Sequence, residues 1–410
     1  MENNNKLGVS FSLCFLGTVF YCYIYYLRII PSVLRPELKL MHNIGEAGFG
    51  FLVSLYYWAY LPLQIPAGLL MDIFGVKKIL TTACIVCAIG TCLFINNNLL
   101  IVQIGRFLVG CGSAFAYVGV LKLSNEWLPK KMFAFMVGLC ASLGMLGAII
   151  GQIFITKYIL VFSWQGLILI SALFGAFLSI ILWCFIKNRD PIVKGLALHI
   201  ISNKLQKELI ELVKSPGLWL IGLISSLMLV ILTVFVDTWA VSFLVVKGIN
   251  ESNAVISSSM VYLGFSVGAP LWGILSILIF NRKTVVIVGC IVTAILISII
   301  LYVEINIQWM NVYMFLLGLF ASTECLVFAL TNHLASKEII GTAFGLVNAI
   351  ACLSGILLQP IVGLIIDYLV VKYDFLEIIN FKLALMVLPI ALVLSGFLSM
   401  FLKNGVLCYK

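Results

Sequence analysis

Apolar residues do not alternate with polar ones along this chain. They run unbroken for about 20 residues at a time, the length an α-helix needs to cross a ~30 Å hydrocarbon core. Runs bounded by charges or turn residues predict helices over 8–30, 48–71, 79–97, 100–122, 133–156 and 164–187. A second set follows over 217–246, 254–280, 284–303, 309–331, 341–367 and 381–402. The stretch between the sets is different in kind: it mixes Arg189, Lys194, Lys204, Lys207 and Lys214 with Asp190, Glu208 and Glu211, and Leu205, Ile210 and Leu212 give part of it helical spacing. The pattern predicts an all-α membrane protein of twelve transmembrane helices in two six-helix bundles, 1–187 and 217–410, joined by a polar linker over 188–216.

Composition sharpens this picture. Of 410 residues 63% are hydrophobic and 10% are charged, whereas a soluble domain carries about 25% charged side chains. Twelve spans leave no room for a sizeable soluble enzyme domain. The net charge of +9 comes without a basic tract interleaved with aromatics, which argues against nucleic acid as a partner. A bilayer protein uses Lys and Arg to hold its cytoplasmic side. With the N-terminus inside, 16 of the 25 Lys and Arg fall on the inner side and 6 on the outer, while Arg28, Arg106 and Lys122 lie within spans. Both termini and the linker are therefore expected in the cytoplasm, with the chain a monomer in a bacterial inner membrane. The polar start MENNNK lacks a small-residue cleavage site at signal-peptide distance, so the first span is expected to be retained. Eleven of the 12 cysteines fall in spans, and no disulfide is expected. Cys84 and Cys87 form a C-x-x-C inside an apolar helix with no second pair or His nearby, which reads as packing. His42, His199 and His333 have no ligand-spaced partner, and no cofactor or metal is expected. Asn250-Glu-Ser252 is a glycosylation sequon with meaning only in a eukaryotic secretory pathway.

Between the second and third spans the chain reads Gly68-Leu-Leu-Met-Asp72-Ile-Phe-Gly75-Val-Lys77-Lys78. Gly68 permits close helix approach, Gly75 a turn conformation closed to other residues, and Asp72 can hold a cation or a helix N-terminus. This loop resembles the G-x-x-x-D-R-x-G-R-R signature of the major facilitator superfamily, with Ile73 and Val76 standing where that family carries basic residues. At the matching place in the second half, Gly273 and Arg282-Lys283 remain, while Ile277 and Phe280 replace the acid and the second glycine. Such a decayed copy is what an internal duplication leaves. Arg106-Phe-Leu-Val-Gly110-Cys-Gly112 resembles the family's R-x-x-x-G-x-G element, and Gly341 to Asp367, with Gln359-Pro360 and Gly363, its eleventh helix. Met145 stands where family antiporters carry the proline of a G-P-x-x-G-G signature, beside Gly138, Gly144, Gly147 and Gly151. The resemblance implies two pseudo-symmetric bundles, with Gly68, Asp72, Gly75, Lys77, Lys78 and Lys122 at a cytoplasmic gate.

A charge at bilayer depth costs about 2.5–3.5 kcal/mol on insertion scales, so each one should face a cavity or a partner. Arg28, Arg106, Asp237 and Glu324 fall one each in the first, fourth, seventh and tenth spans. The family resemblance places those four helices around a central cavity. Helical spacing puts Tyr21, Tyr25 and Arg28 on one face, aligns Tyr57, Tyr60 and Gln64 on another helix, and places Arg106, Gly110, Ser113 and Tyr117 together on a third. Interface anchoring is the alternative for aromatic residues, and it suits Trp127, Trp164 and Trp309. Arg28 offers paired donors to a carboxylate or phosphate, and its context resembles the first helix of the superfamily's organic anion symporters. The substrate-binding set expected is Arg28, Tyr21, Tyr25, Tyr57, Gln64, Arg106 and Tyr117. Asp237 and Glu324 are expected to carry protons, because a carboxyl held away from water can change protonation between states; static pairing, Arg106 with Glu324 or Arg28 with Asp237, is the other reading.

These features describe a secondary transporter, not an enzyme, whose nucleophiles, bases or metal ligands would cluster at one depth. No G-x-x-x-x-G-K-[ST] loop occurs, so ATP does not drive it in cis. The expected activity is proton-coupled uptake of a small organic anion or zwitterion. Efflux by antiport of a metabolite, drug or siderophore, or carriage of a peptide or amino acid, is the alternative.

Overall fold

The computed structural model describes residues 2–159, 161–188, 212–278, 282–331, 340–373 and 376–402. Most of the 188–216 linker and both ends of the chain lie outside this set. The described residues form helices joined by short turns: α1 (Glu2–Val33), α2 (Arg35–His42), α3 (Glu46–Phe74), α4 (Val76–Leu93), α5 (Leu99–Ser113), α6 (Ala116–Trp127), α7 (Lys130–Tyr158) and α8 (Trp164–Phe185). After the linker come α9 (Pro216–Val230), a π-helix (Ile231–Trp239), α10 (Ala240–Val246), α11 (Glu251–Leu278), α12 (Arg282–Tyr302) and α13 (Ile307–Ala321). The chain ends in α14 (Glu324–Thr331), α15 (Ile340–Ala351), α16 (Leu353–Lys372), α17 (Glu377–Ala384) and α18 (Val387–Ser399). Among the described residues, 11 segments are long and apolar enough to cross a membrane. The 29-residue α3 is the remaining long helix. The architecture is that of an all-α, multi-pass membrane protein.

Local chemistry sets the boundaries. Asn98 Oδ1 accepts from the Leu100 amide at 2.9 Å to start α5, and Ser163 Oγ accepts from Gly166 at 3.2 Å to start α8. Proline occupies the first turn of α9. Several expected spans are interrupted where side-chain hydroxyls compete for backbone carbonyls. Ser113 donates to the Val109 carbonyl at 2.6 Å beside the α5–α6 break, and Thr323 donates to Phe320 at 2.7 Å between α13 and α14. A helix appears where only a loop is expected: Arg35-Pro36 opens α2, and Asn43, at φ 50°, closes it in the left-handed region.

Two compact units account for the packing: residues 1–28 with 55–211, and residues 29–54 with 212–410. In the first, α4 and α5 cross through facing glycines. A Cβ on Gly90 would lie 2.6 Å from the Gly105 carbonyl, and one on Gly105 would lie 2.6 Å from the Gly90 carbonyl. In lipid, where burial itself supplies no drive, such backbone proximity maximises dispersion contact. In the second unit Gly264 and Gly318 bring α11 and α13 together in the same way, each against the other helix's backbone. Ile221, Ile224, Val286, Val327 and Val347 form the centre of an aliphatic cluster in the same unit.

Candidate functional site

In the first unit a guanidinium sits among phenols. The Arg28 Cζ lies 5.1 Å from the Tyr25 ring centroid and 5.4 Å from that of Tyr57, within range of a favourable cation–π contact. Tyr21 extends the wall: its hydroxyl donates to the Tyr25 hydroxyl at 3.2 Å, and its ring lies 5.0 Å from that of Tyr25 and 5.5 Å from that of Tyr117. The structure thus brings together five of the expected binding residues, Arg28, Tyr21, Tyr25, Tyr57 and Tyr117. Gln64 is buried in the same unit and donates its amide to the Ala114 carbonyl at 3.3 Å, the carbonyl that the α5–α6 break leaves open.

Arg106 is turned onto backbone. Its two terminal nitrogens donate to the carbonyls of Leu27 at 3.2 Å and Arg28 at 3.1 Å, and its Cζ lies 4.9 Å from the Tyr56 ring. The reason lies four residues downstream of Leu27. Pro31 has no N–H, so the Leu27 carbonyl has no intrahelical donor, and inside a membrane protein such a group must be satisfied by a neighbour. Arg106 is that neighbour. Gly110, one turn away, lets the helices meet, since a Cβ there would collide with the Tyr56 carbonyl.

In the second unit the two expected proton carriers are both buried, Asp237 1% and Glu324 3% exposed. Asp237 lies in the nine-residue π-helix, whose wider turn changes which carbonyls are reachable. Tyr262 donates to Asp237 Oδ1 at 2.6 Å, Gln359 Nε2 to the Thr233 carbonyl at 2.6 Å, and Ser32 Oγ to the Thr238 carbonyl at 3.3 Å. Glu324 opens α14 and accepts from the Ser225 hydroxyl. Among the described residues it forms no ion pair.

The signature loop adopts a specific turn. Gly75 has φ +84°, a conformation strained for a residue with a Cβ, and the Asn188 side chain packs against it while its Oδ1 accepts from the Lys77 amide at 2.9 Å. The Lys77 ammonium lies 4.6 Å from the Trp183 ring centroid, and Lys78 is exposed. At Gly68 a Cβ would meet nothing within 4 Å, so the close helix approach expected of this glycine is not what the described residues show there. The Asp72 side chain lies outside the described set, and Lys122 is half-buried on α6.

Sequence reasoning missed a second polar cluster at the ends of the helices in the second unit. Arg35 donates through Nε to Glu46 at 3.0 Å and through Nη2 to its other oxygen, and Lys39 pairs with the same carboxylate. Arg35 also lies over the rings of Trp239 and Phe381, 5.9 and 5.6 Å from their centroids. The Asp367 carboxylate accepts from the amides of Glu46 at 2.9 Å and Ala47 at 2.8 Å, capping α3 from α16. Gly363 and Gly50 make this possible: a Cβ on either would collide with the facing backbone of Glu46 or Gln359. The available signal was glycines and acids repeated at span ends. For Tyr262 it was a solitary phenol within the eighth predicted span.

The family model of the Major Facilitator Superfamily matches residues 11–359 and 247–406. The human lysosomal dipeptide transporter MFSD1 is 26% identical over 94% of this chain and 85% of its own length. The probable galactarate/D-glucarate transporter GudP of Escherichia coli is 24% identical over 83% of each chain. Among solved structures, a bacterial homologue of the human lysosomal transporter Spinster, in an inward-facing and occupied conformation, superposes with a TM-score of 0.77 at 14% identity, covering 97% of this chain and 98% of its own. A D-xylose–proton symporter superposes with a TM-score of 0.75 at 16% identity, over 95% and 97%. With the signature loop, the apolar spans and a family match along almost the whole length, this chain belongs to the major facilitator superfamily and is a secondary transporter, not an enzyme.

Proposed function

We propose that the transported solute is a small organic anion or zwitterion and that its uptake is coupled to protons. The observation that carries the reading is the Arg28 guanidinium framed by Tyr25 and Tyr57. A planar, permanently charged donor held between aromatic faces suits a carboxylate. The relatives support the same chemistry, since dipeptides and galactarate or D-glucarate all bear carboxylates. Tyr21, Tyr25, Tyr57, Tyr117 and Gln64 complete the binding set, and Arg106 serves it by fixing the backbone of Leu27 and Arg28. Glu324, buried with a hydroxyl and without an ion pair among the described residues, is the group suited to exchange a proton, and Asp237 is the second. Residues 1–187 and 217–410 are the two halves that alternate access around the linker 188–216. The Gly68–Lys78 loop and Lys122 guard the side on which the Lys and Arg excess places both termini.

The test is transport by the purified chain in liposomes. Arg28→Ala is expected to raise the half-saturating concentration of anionic solutes at least tenfold. Glu324→Gln and Asp237→Asn are expected to abolish concentrative uptake while exchange of labelled for unlabelled solute continues. Accumulation by both acid variants at the wild-type level would remove the proton role from these residues.

A further inference from the structure

In the second unit α12 and α18 run antiparallel and leave a groove between them. The Tyr302 hydroxyl, at the end of α12, donates to the Lys382 carbonyl ahead of α18 at 3.2 Å, while Lys283, at the start of α12, reaches the end of α18. The groove has a volume of about 700 Å³ and is walled by Ile287, Ile291 and Ile295 on one side and Val393, Phe397 and Met400 on the other. All but Ile287 are exposed, so it opens onto the apolar phase. Ser298, midway along, donates its hydroxyl to the Ala294 carbonyl at 2.7 Å, which leaves carbon facing the groove there. From Ile287 to Tyr302 the groove follows α12 for about 22 Å, roughly three-quarters of a ~30 Å hydrocarbon core.

One end of this groove is cationic. One turn before Ile287, the Lys283 ammonium donates to the carbonyls of Met400 at 2.6 Å and Leu402 at 2.9 Å, holding the end of α18 against α12. Arg282 beside it is partly exposed and has neither a hydrogen-bond nor an ion-pair partner among the described residues. No acid offsets these charges along either helix: none occurs between Glu251 and Glu304, and none follows Glu377, where the sequence adds Lys403 and Lys410. The matching end of α4 is different, because the Lys77 ammonium lies 4.6 Å from the Trp183 ring centroid and Asn188 accepts from the Lys77 amide.

We propose that the groove between α12 and α18 is a binding site for an anionic phospholipid, with one acyl chain lying along Ile287–Tyr302 and the phosphate held by Arg282 and Lys283. Basic pockets between spanning helices are suited to anionic headgroups, and a guanidinium offers a phosphate two parallel donors. The chain supplies dispersion contact along a concave apolar wall, which a flat helix face does not. A second copy of this protein fits the groove less well. A two-fold axis along the membrane normal would set Arg282 and Lys283 against their own counterparts at the same depth, with no acid on these helices to pair with them.

The experiment is native mass spectrometry of the purified, delipidated full-length chain titrated with dioleoyl phosphatidylglycerol or dioleoyl phosphatidylcholine. Each cation near an anionic headgroup is worth about fivefold in affinity, so the first phosphatidylglycerol is expected to bind at least tenfold more tightly than phosphatidylcholine. Arg282→Gln, which breaks no contact among the described residues, should lower that preference about fivefold. A phosphatidylglycerol carrying a diazirine in its acyl chain should crosslink to peptides spanning 287–303 and 389–400. Ser298→Phe, which fills the middle of the groove and keeps both cations, should remove those crosslinks. Equal affinity for the two lipids, an unchanged preference in Arg282→Gln, or crosslinks confined to other helices overturns the proposal. So does a stable dimer in which α18 of one copy crosslinks to α18 of the other, since the groove would then belong to a second copy.

Discussion

The Arg106 bridge permits a quantitative test, because the group it satisfies is created by one identifiable residue. Pro31 deprives the Leu27 carbonyl of its donor, and Arg106 supplies one at 3.2 Å, with a second bond to Arg28 at 3.1 Å. Hydrogen bonds from a charged donor contribute about 1.5–3 kcal/mol each, and the contact with Tyr56 adds about 0.5–2 kcal/mol. Arg106→Met, which keeps the aliphatic stem, should therefore destabilise the protein by about 3–6 kcal/mol or more. In a Pro31→Ala background the amide restored at position 31 can reach the Leu27 carbonyl, so the same Arg106→Met change should cost about 1.5–3 kcal/mol less. That difference is the coupling energy of a double-mutant cycle. Reversible unfolding of the four proteins in mixed detergent micelles, titrated with SDS, measures it. Additivity within about 0.5 kcal/mol would refute the idea that Arg106 is bound to the consequence of Pro31.

Other expectations follow from the same geometry. Gly363→Ala places a methyl against the Glu46 carbonyl; overpacking of this kind should destabilise by about 1–3 kcal/mol, with reagent access to a cysteine introduced at Ala47 rising in step, as thiol labelling would show. Asn188→Ala removes the acceptor for the Lys77 amide and should lower stability by about 1 kcal/mol, while Gly75→Ala, forced to φ +84° against Asn188, should lower it further; the order of their melting temperatures checks both. Glu37, in α2 outside the spans, has its carboxyl pKa raised by burial and, less strongly, by Glu251. A carboxyl that binds its proton more tightly folded than unfolded makes the fold less stable as pH rises from about 4.5 upward. Glu37→Gln should raise the melting temperature at pH 7 and give little change at pH 4; a drop at pH 7 would contradict the burial argument.

Much of the fold is legible in sequence because lipid imposes one rule: a spanning segment must satisfy its own backbone within a long apolar helix. Runs such as 284–303 and 164–187 coincide with α12 and α8 to within a few residues. Interruptions inside spans are less visible, since Ser113, Thr323 and the π-turn around Asp237 break helices by local hydroxyl competition and tertiary contacts that hydropathy does not register. In the candidate site, helical spacing brings Tyr21, Tyr25 and Arg28 to one face, and the structure shows them in contact. The attachment of Arg106 to the first helix was not foreseeable from the fourth span alone, because it depends on a carbonyl orphaned by Pro31 some 75 residues earlier in the chain. The Arg35–Glu46–Asp367 cluster joins residues more than 300 positions apart, and no local pattern announces such a meeting.

That distance matters while the protein is being made. The opening amides of α3 are finished by a carboxylate that leaves the ribosome more than 300 residues later. Until Asp367 arrives, the first turn of α3 must borrow water or headgroup oxygens, or fray. A nascent chain stopped short of residue 367 should therefore carry a solvent-exchanging start to α3 that heals only when α16 is inserted, which makes this small contact a late checkpoint in biogenesis.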